Sequence, residues 1–382
     1  MDFSFTEEQT MLRDTVASYL ADTYDFDKRR AAVKSHDGWR PEVWRAFAND
    51  LGILGAAFPE EQGGLGGGPF ENLVILEEFG KALVVEPYLS TVVIGGGFLT
   101  TAKPYGADDL IAKIIAGDAR FALAAYEPQS RYNFADLKTT ARKDGGAYIL
   151  NGHKAVVAGA PWATHLIVTA RTGGAQRESQ GVSVFLVDKA AAGVTTKDYP
   201  TVDGSRASEV YLEDVHVAEE ALLGPEGDAL PLIEHVMDSA SAAACAEACG
   251  VLRRLQEGTV EYTKQRKQFG QPISQFQVLQ HRMVDMFIQL EQSISMTYMA
   301  TIKISDADPV ERSKGVAAAR VQAGKALKFV GQQAIQLHGG MGMTDEMAIG
   351  HYFKRATLIE SQFGNTDHHL ARYEGLSFKT AA

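Results

Sequence analysis

Tyr262-Thr263-Lys264-Gln265-Arg266-Lys267-Gln268-Phe269-Gly270-Gln271-Pro272-Ile273 runs from a helical pattern into a Gly–Pro break, with a cation, amides and an aromatic ring gathered at the break. Arg266 is a delocalised cation able to pair two phosphate oxygens at once. Phe269 offers a flat apolar face, and Gln268 can donate from its amide. Further on, Gln336-Leu337-His338-Gly339-Gly340-Met341-Gly342 sets a second amide, Gln336, before two glycines. Gly339 and Gly340 let backbone N–H groups come close to a phosphate. Plainer readings exist for both. Arg266 could be half of a surface ion pair, and Gly339-Gly340 could cap a helix C-terminus, which is compatible with anion binding.

The helical period around these segments begins near Leu230 and persists to the end of the chain. Met283, Met286, Phe287, Leu290 and Ile294 fall on one apolar stripe, read as core rather than as a face for a partner. Helices of this length suggest a bundle. Upstream the texture differs. Ala147–Leu150, Asn151-Gly152 and His153–Val157 read as a hairpin. Leu166–Ala170, Val182–Val187, Val210–Leu212 and Val215–Val217 are short β-rich runs. The first ~120 residues are again helical. Ser4 with Glu7 predicts a capping box, followed by Phe5, Leu12, Val16, Tyr19 and Leu20 at helical spacing. Further helices are expected over about Pro41–Leu51 and Asn72–Leu83. The glycine run Gly63–Gly68 lacks the Lys-Ser/Thr of a phosphate loop and reads as a surface loop. The expectation is an α+β, mainly α chain in three parts: a helical domain over 1–120, a β-barrel-like domain over 121–225 and a helical bundle over 226–382.

Composition narrows the function. The 382 residues carry 37 Lys+Arg against 48 Asp+Glu, a formal net charge of -11. A broad electrostatic grip on nucleic acid or an anionic membrane is excluded, so an anionic ligand must be held by a few local donors. Cys245 and Cys249, four apart in an Ala-rich run, read as small helix-packing residues, and no metal site is expected. No apolar run reaches the ~18 residues of a membrane span. Met1-Asp2-Phe3-Ser4 shows no secretory pattern, so a cytoplasmic location is expected.

The order helical, β, helical bundle resembles the acyl-CoA dehydrogenase family, and the two C-terminal segments resemble that family's Y-x-x-x-R-x-Q-F-G-x-P-I and Q-x-H-G-G-x-G motifs. The resemblance covers essentially the whole chain. It implies FAD as cofactor, with Arg266, Gln268, Phe269, Gln336, Gly339, Gly340 and Thr366 among its contacts, the C-terminal ones serving a neighbouring subunit's flavin. It implies α,β-dehydrogenation of an acyl-CoA, electrons passing to an electron-transfer flavoprotein, and a tetramer. The reaction needs a carboxylate for the α-proton and donors for the thioester carbonyl. The usual base segment, I-Y-E-G-T, aligns with Thr357–Thr366, where the usual base is absent. Phe363 or Gly364 stands where its Glu would be. Tyr373-Glu374-Gly375 copies the letters too late in the chain, and Glu360 lies one turn early. Glu247 is the better candidate for the base. Its helical neighbours Ala243, Ala244, Gly250 and Val251 cannot pair a charge, and some relatives carry the base on this helix. The small flanking residues would leave room for a bulky acyl group.

The β-domain departs from the family. Tyr126-Glu127-Pro128-Gln129-Ser130-Arg131-Tyr132 keeps only Glu-Pro of the T-E-P-x-A-G-S-D motif. Val156 and Ala158 stand where Trp and Thr are expected. Half a flavin site is recognisable, as in the smaller subunit of heteromeric acyl-CoA dehydrogenases of sterol or dicarboxylate degradation. Two readings follow: an FAD enzyme using Glu247, homomeric or heteromeric, or a non-catalytic FAD-clamping subunit whose partner carries the base and flavin cradle. An oxidase of the same fold is a third.

Overall fold

The structure, a computed structural model, describes residues 5–379. Its helices are α1 (Glu7–Thr23), α2 (Phe26–Lys34), α3 (Pro41–Asn49), α4 (Pro69–Ala82), α5 (Gly96–Ala102), α6 (Ala107–Ile115), α7 (Leu230–Gln265), α8 (Gln277–Lys303), α9 (Pro309–His338), α10 (Ala348–Ser361) and α11 (Thr366–Lys379). The strands are β1 (Phe121–Ala124), β2 (Thr140–Asp144), β3 (Ala147–Ala158), β4 (His165–Arg171), β5 (Val182–Asp188), β6 (Val194–Pro200), β7 (Arg206–Ala218), β8 (Lys267–Gln268) and β9 (Gln271–Pro272). They gather into two compact units. One is helical (5–31, 69–84 and 241–379), the other sheet-centred (32–68 and 85–240).

Ser4, expected to cap the first helix, lies outside the described residues. Thr6 caps α1: its hydroxyl accepts from the Gln9 N–H at 3.2 Å, and the Gln9 side chain accepts from the Thr6 N–H at 3.1 Å. In the helical unit, the core forms along α7, α8, α9 and α10. Met283, Met286 and Leu290 of the predicted stripe are buried, and Ile294 packs against them. Phe287 is a correction to that stripe. It is 48% exposed on another face of α8, because one helical position turns a side chain by about 100°. Two glycines bring α4 and α7 backbone to backbone. A Cβ on Gly80 would lie 2.1 Å from the Glu247 carbonyl oxygen, and one on Gly250 would lie 2.0 Å from that of Glu77. The Ala-rich segment of α7 is buried throughout, so its small side chains serve close packing rather than open space.

In the sheet unit, seven strands run in the order β1-β4-β2-β3-β7-β6, with β5 on β4. Its core is made by inward residues such as Leu150, Leu166, Phe185 and Val210. The expected Asn151-Gly152 turn is corrected: both lie inside β3, and the chain reverses at Gly145-Gly146, both at positive φ. Asn151 exchanges two 2.9 Å hydrogen bonds with Asp214 on the neighbouring strand. Gly152 is glycine because a Cβ there would meet the Thr139 hydroxyl at 2.2 Å. Turn-forming residue types here answer a cross-strand contact instead.

Candidate active site

Glu247 sits at the α4–α7 crossing and is 4% exposed. The sequence offered it no partner on its own helix, but α10 supplies one. Arg355 Nε donates to Glu247 Oε1 at 2.6 Å and Nη2 donates to Oε2 at 2.7 Å. This fork-to-fork pair fixes the plane of the carboxylate. Sequence reasoning missed Arg355, since no motif marks a contact formed across 108 positions.

The segment that replaces the usual base segment follows α10. Phe363 holds φ 61 and Gly364 φ 120. A side chain at Gly364 would strike the rings of His368 and His369 at 2.5 and 2.8 Å. Arg320 of α9 lies beneath this turn, 2% exposed. Its Nη2 is 2.8 Å from the Ile359 oxygen, 3.5 Å from that of Glu360, 2.6 Å from that of Gln362 and 3.1 Å from that of Gly364. Its Nε donates to His369 Nε2 at 3.4 Å. The N–H groups of Phe363, Gly364 and Asn365 meet no acceptor among the described residues. Burial drives His369 strongly down, to about 2, with the Arg320, His368 and Arg372 charges adding to it. Glu360 accepts from the Thr366 N–H at 3.0 Å and from its hydroxyl at 2.8 Å, so it caps α11. The Thr366 hydroxyl is therefore engaged inside the bundle, close against Gly324. Tyr373 and Glu374 are exposed along α11.

The two motif segments meet. The Tyr262 ring stacks on His338 at 4.2 Å, and its hydroxyl donates to the His338 carbonyl at 3.3 Å. That contact ties the end of α7 to the end of α9, so Arg266 and Gly339-Gly340 are presented from one corner. Arg266, Gln268, Gln336, Gly339 and Gly340 are all exposed. Phe269, at the tip of the β8–β9 hairpin with φ 53, is 90% exposed. No carboxylate among the described residues pairs with Arg266. A Cβ on Gly339 or Gly340 would meet nothing, so the backbone there is open to approach. The Gln268 amide donates to the Lys267 carbonyl at 2.9 Å and the Gly339 N–H caps α9 on the Ile335 and Gln336 carbonyls, so the unpaired guanidinium, the exposed Gln336 amide, the uncrowded glycine backbone and the bare ring are what fit an adenine dinucleotide with a pyrophosphate link.

The sheet unit behaves differently. Glu127, the remnant of its motif, is 4% exposed and consumed internally. It accepts from Lys154 Nζ at 2.8 Å, from the Lys138 N–H at 2.7 Å and from the Thr139 N–H at 3.0 Å. Burial pushes its carboxyl up, but the Lys154 charge and these hydrogen bonds outweigh it and hold the carboxyl at about 2. Val156 sits at a bulge of β3 with φ 53 and is 59% exposed. Neither Val156 nor Ala158 has a side-chain donor to offer.

Acyl-CoA dehydrogenase N-terminal, middle and C-terminal domain families match residues 6–117, 122–215 and 230–373. A probable acyl-CoA dehydrogenase, YngJ of Bacillus subtilis strain 168, is 30% identical over 380 residues, covering 96% of this chain and 97% of its own. The mitochondrial isovaleryl-CoA dehydrogenase of Oryza sativa subsp. japonica is 28% identical, covering 95% of this chain and 89% of its own. A chain of the ChsE4-ChsE5 complex from Mycobacterium tuberculosis superposes with a TM-score of 0.91 at 26% identity, covering all of both chains. With three domain families matched along its length, the chain belongs to the acyl-CoA dehydrogenase family.

Proposed function

We propose that this protein removes the α- and β-hydrogens of an acyl-CoA thioester, with Glu247 as the base and the Gln362–Gly364 turn as the carbonyl donor. Acyl-CoA dehydrogenase chemistry and FAD come with the family. When bound, FAD supplies the acceptor for the β-hydrogen as hydride. Glu247 takes the α-proton, and Arg355 holds its two oxygens in one plane while it does so. The unpaired N–H groups beyond Gln362 carry the negative charge that builds on the thioester oxygen. Arg266, Gln268, Phe269, Gln336, Gly339, Gly340 and Thr366 are the proposed FAD contacts, the first six reaching a neighbouring subunit's cofactor. The buried, doubly held Glu247 carboxylate is the observation that carries this reading. We further propose an electron-transfer flavoprotein as acceptor, a tetramer, and functional segments at 1–120, 121–225 and 226–382.

A second reading is favoured by one contrast. The Arg266 guanidinium of the helical unit is exposed and without a carboxylate among the described residues, whereas Val156 and Ala158 leave the sheet unit without two side-chain contacts. In that reading the chain clamps FAD within a heteromer, a reading supported by its likeness to a chain of the ChsE4-ChsE5 complex. The test is anaerobic mixing of the purified holoprotein with butyryl-, isobutyryl-, isovaleryl- and a steroid side-chain acyl-CoA, following flavin bleaching. Bleaching by at least one, lost in Glu247→Gln with FAD retained, supports the catalytic reading. Full bleaching in Glu247→Gln removes Glu247 as base. FAD content well below one per chain, restored by co-expression with a second family member, supports the heteromer.

A further inference from the structure

Arg320 is a buried guanidinium whose charge is met by no carboxylate among the described residues. Its hydrogen-bond partners are backbone carbonyls, at residues 359, 360, 362 and 364, and the His369 ring. Placing a full positive charge there is costly unless the carbonyl dipoles are held on it. The carbonyls past the C-terminus of α10 also gain from a cation. Peptide planarity then extends the effect. A C=O and the N–H of the next residue point in opposite directions. Drawing the Gln362 and Gly364 oxygens onto Arg320 therefore turns the Phe363 and Asn365 N–H groups outward, where they meet no acceptor among the described residues. The left-handed φ of Phe363 is a conformation that must be held by its surroundings.

We propose that Arg320, with His369 beside it, is a positioning residue of this site: it turns the 362–365 peptides so that their N–H groups face the acyl thioester. This rests on the reading of the turn given under Proposed function. Neither side chain touches substrate, and both act through the backbone they hold.

The test compares wild type, Arg320→Lys and His369→Gln as FAD-loaded oligomers, using whichever acyl-CoA of the panel bleaches the wild-type flavin. Three readouts are taken: FAD content with melting temperature, the kcat and KM pair, and amide exchange of the peptide covering 359–366. Lysine keeps the charge but reaches fewer carbonyls. Arg320→Lys is expected to keep its FAD, lower kcat at least tenfold with KM within threefold, and speed exchange at 362–365. His369→Gln should lower kcat about threefold with the same signature. Unchanged kcat in either folded variant overturns the proposal. So does a kcat loss that merely tracks lost FAD or lost fold, which is the mark of a structural role. Should Arg320→Lys fail to fold, His369→Gln carries the comparison alone. Wild type that bleaches with no acyl-CoA refutes the functional reading instead, whereas exchange at 362–365 still reports on Arg320.

Discussion

The two units treat their charged side chains in opposite ways. In the sheet unit, Glu127 and Lys154 face each other in a dry interior, and Arg171 is spent on the carbonyls of its own loops. In the helical unit, Arg266 and the Gly339-Gly340 backbone stand open. The first pattern makes a scaffold and the second makes a ligand surface. An acidic chain that binds an anionic cofactor must keep its few free donors somewhere, and here they lie on the helical side.

The comparison breaks most sharply at the scaffold pair. Lys154→Met leaves a buried carboxylate without its partner, which costs about 3–5 kcal/mol. Chemical denaturation should show that loss. A loss under about 1 kcal/mol would mean the pair is not dry, contrary to side-chain exposures of 0% for Lys154 and 2% for Glu127. The open side is probed by Arg266→Lys, which replaces a two-pronged contact with a point charge. Weakening of about 1.5–3 kcal/mol, or roughly ten- to a hundredfold in FAD affinity, is expected with unfolding unchanged. Equal FAD affinity in the variant would remove Arg266 from the cofactor surface.

Acid probes two buried groups, one in each unit. His369 is held down at about 2 from an ordinary 6.5, so the folded state binds fewer protons than the unfolded chain. Its stability contribution is whole above pH 6.5 and is lost as pH falls below it, by about 1.4 kcal/mol per unit. The neighbours setting this are Arg320, His368 and Arg372. Glu127 also sits low, at about 2 against 4.5, so its contribution is whole above 4.5 and fades only below that. Melting between pH 7 and 5 should therefore fall in wild type and fall less steeply in His369→Gln, the remaining slope coming from His165, His338, His351 and His368, which burial also holds down. An equal fall in both would assign the acid response elsewhere.

Much of the fold was legible because periodicity reports burial directly. The long helices and most strands followed from it. What failed was local chemistry with two uses. Asn151-Gly152 looks like a turn, yet Asn151 pairs across strands and Gly152 makes room for Thr139. Phe287 shares the spacing of its stripe but not the face. Strand β6, with Lys197 and Asp198 exposed, carried too little apolar signal to be seen. In the site, Arg266 and the two glycines stand in contiguous motifs and could be read as such. Arg355, Arg320 and His369 could not, because each acts through a contact between helices distant in sequence. Glu247 was found through the smallness of its neighbours, but that smallness serves the α4–α7 crossing.

Glu247 as the group that moves the α-proton is directly measurable. With the flavin reduced beforehand, hydride cannot leave the substrate, but the base still works. The measurement is uptake of solvent deuterium at the α-carbon of bound acyl-CoA, by mass spectrometry, in wild type and Glu247→Gln. General-base catalysis is typically worth 10²–10⁴-fold, so exchange in wild type and at least a hundredfold less in the variant is the expected result. Equal exchange in the two proteins would contradict the account.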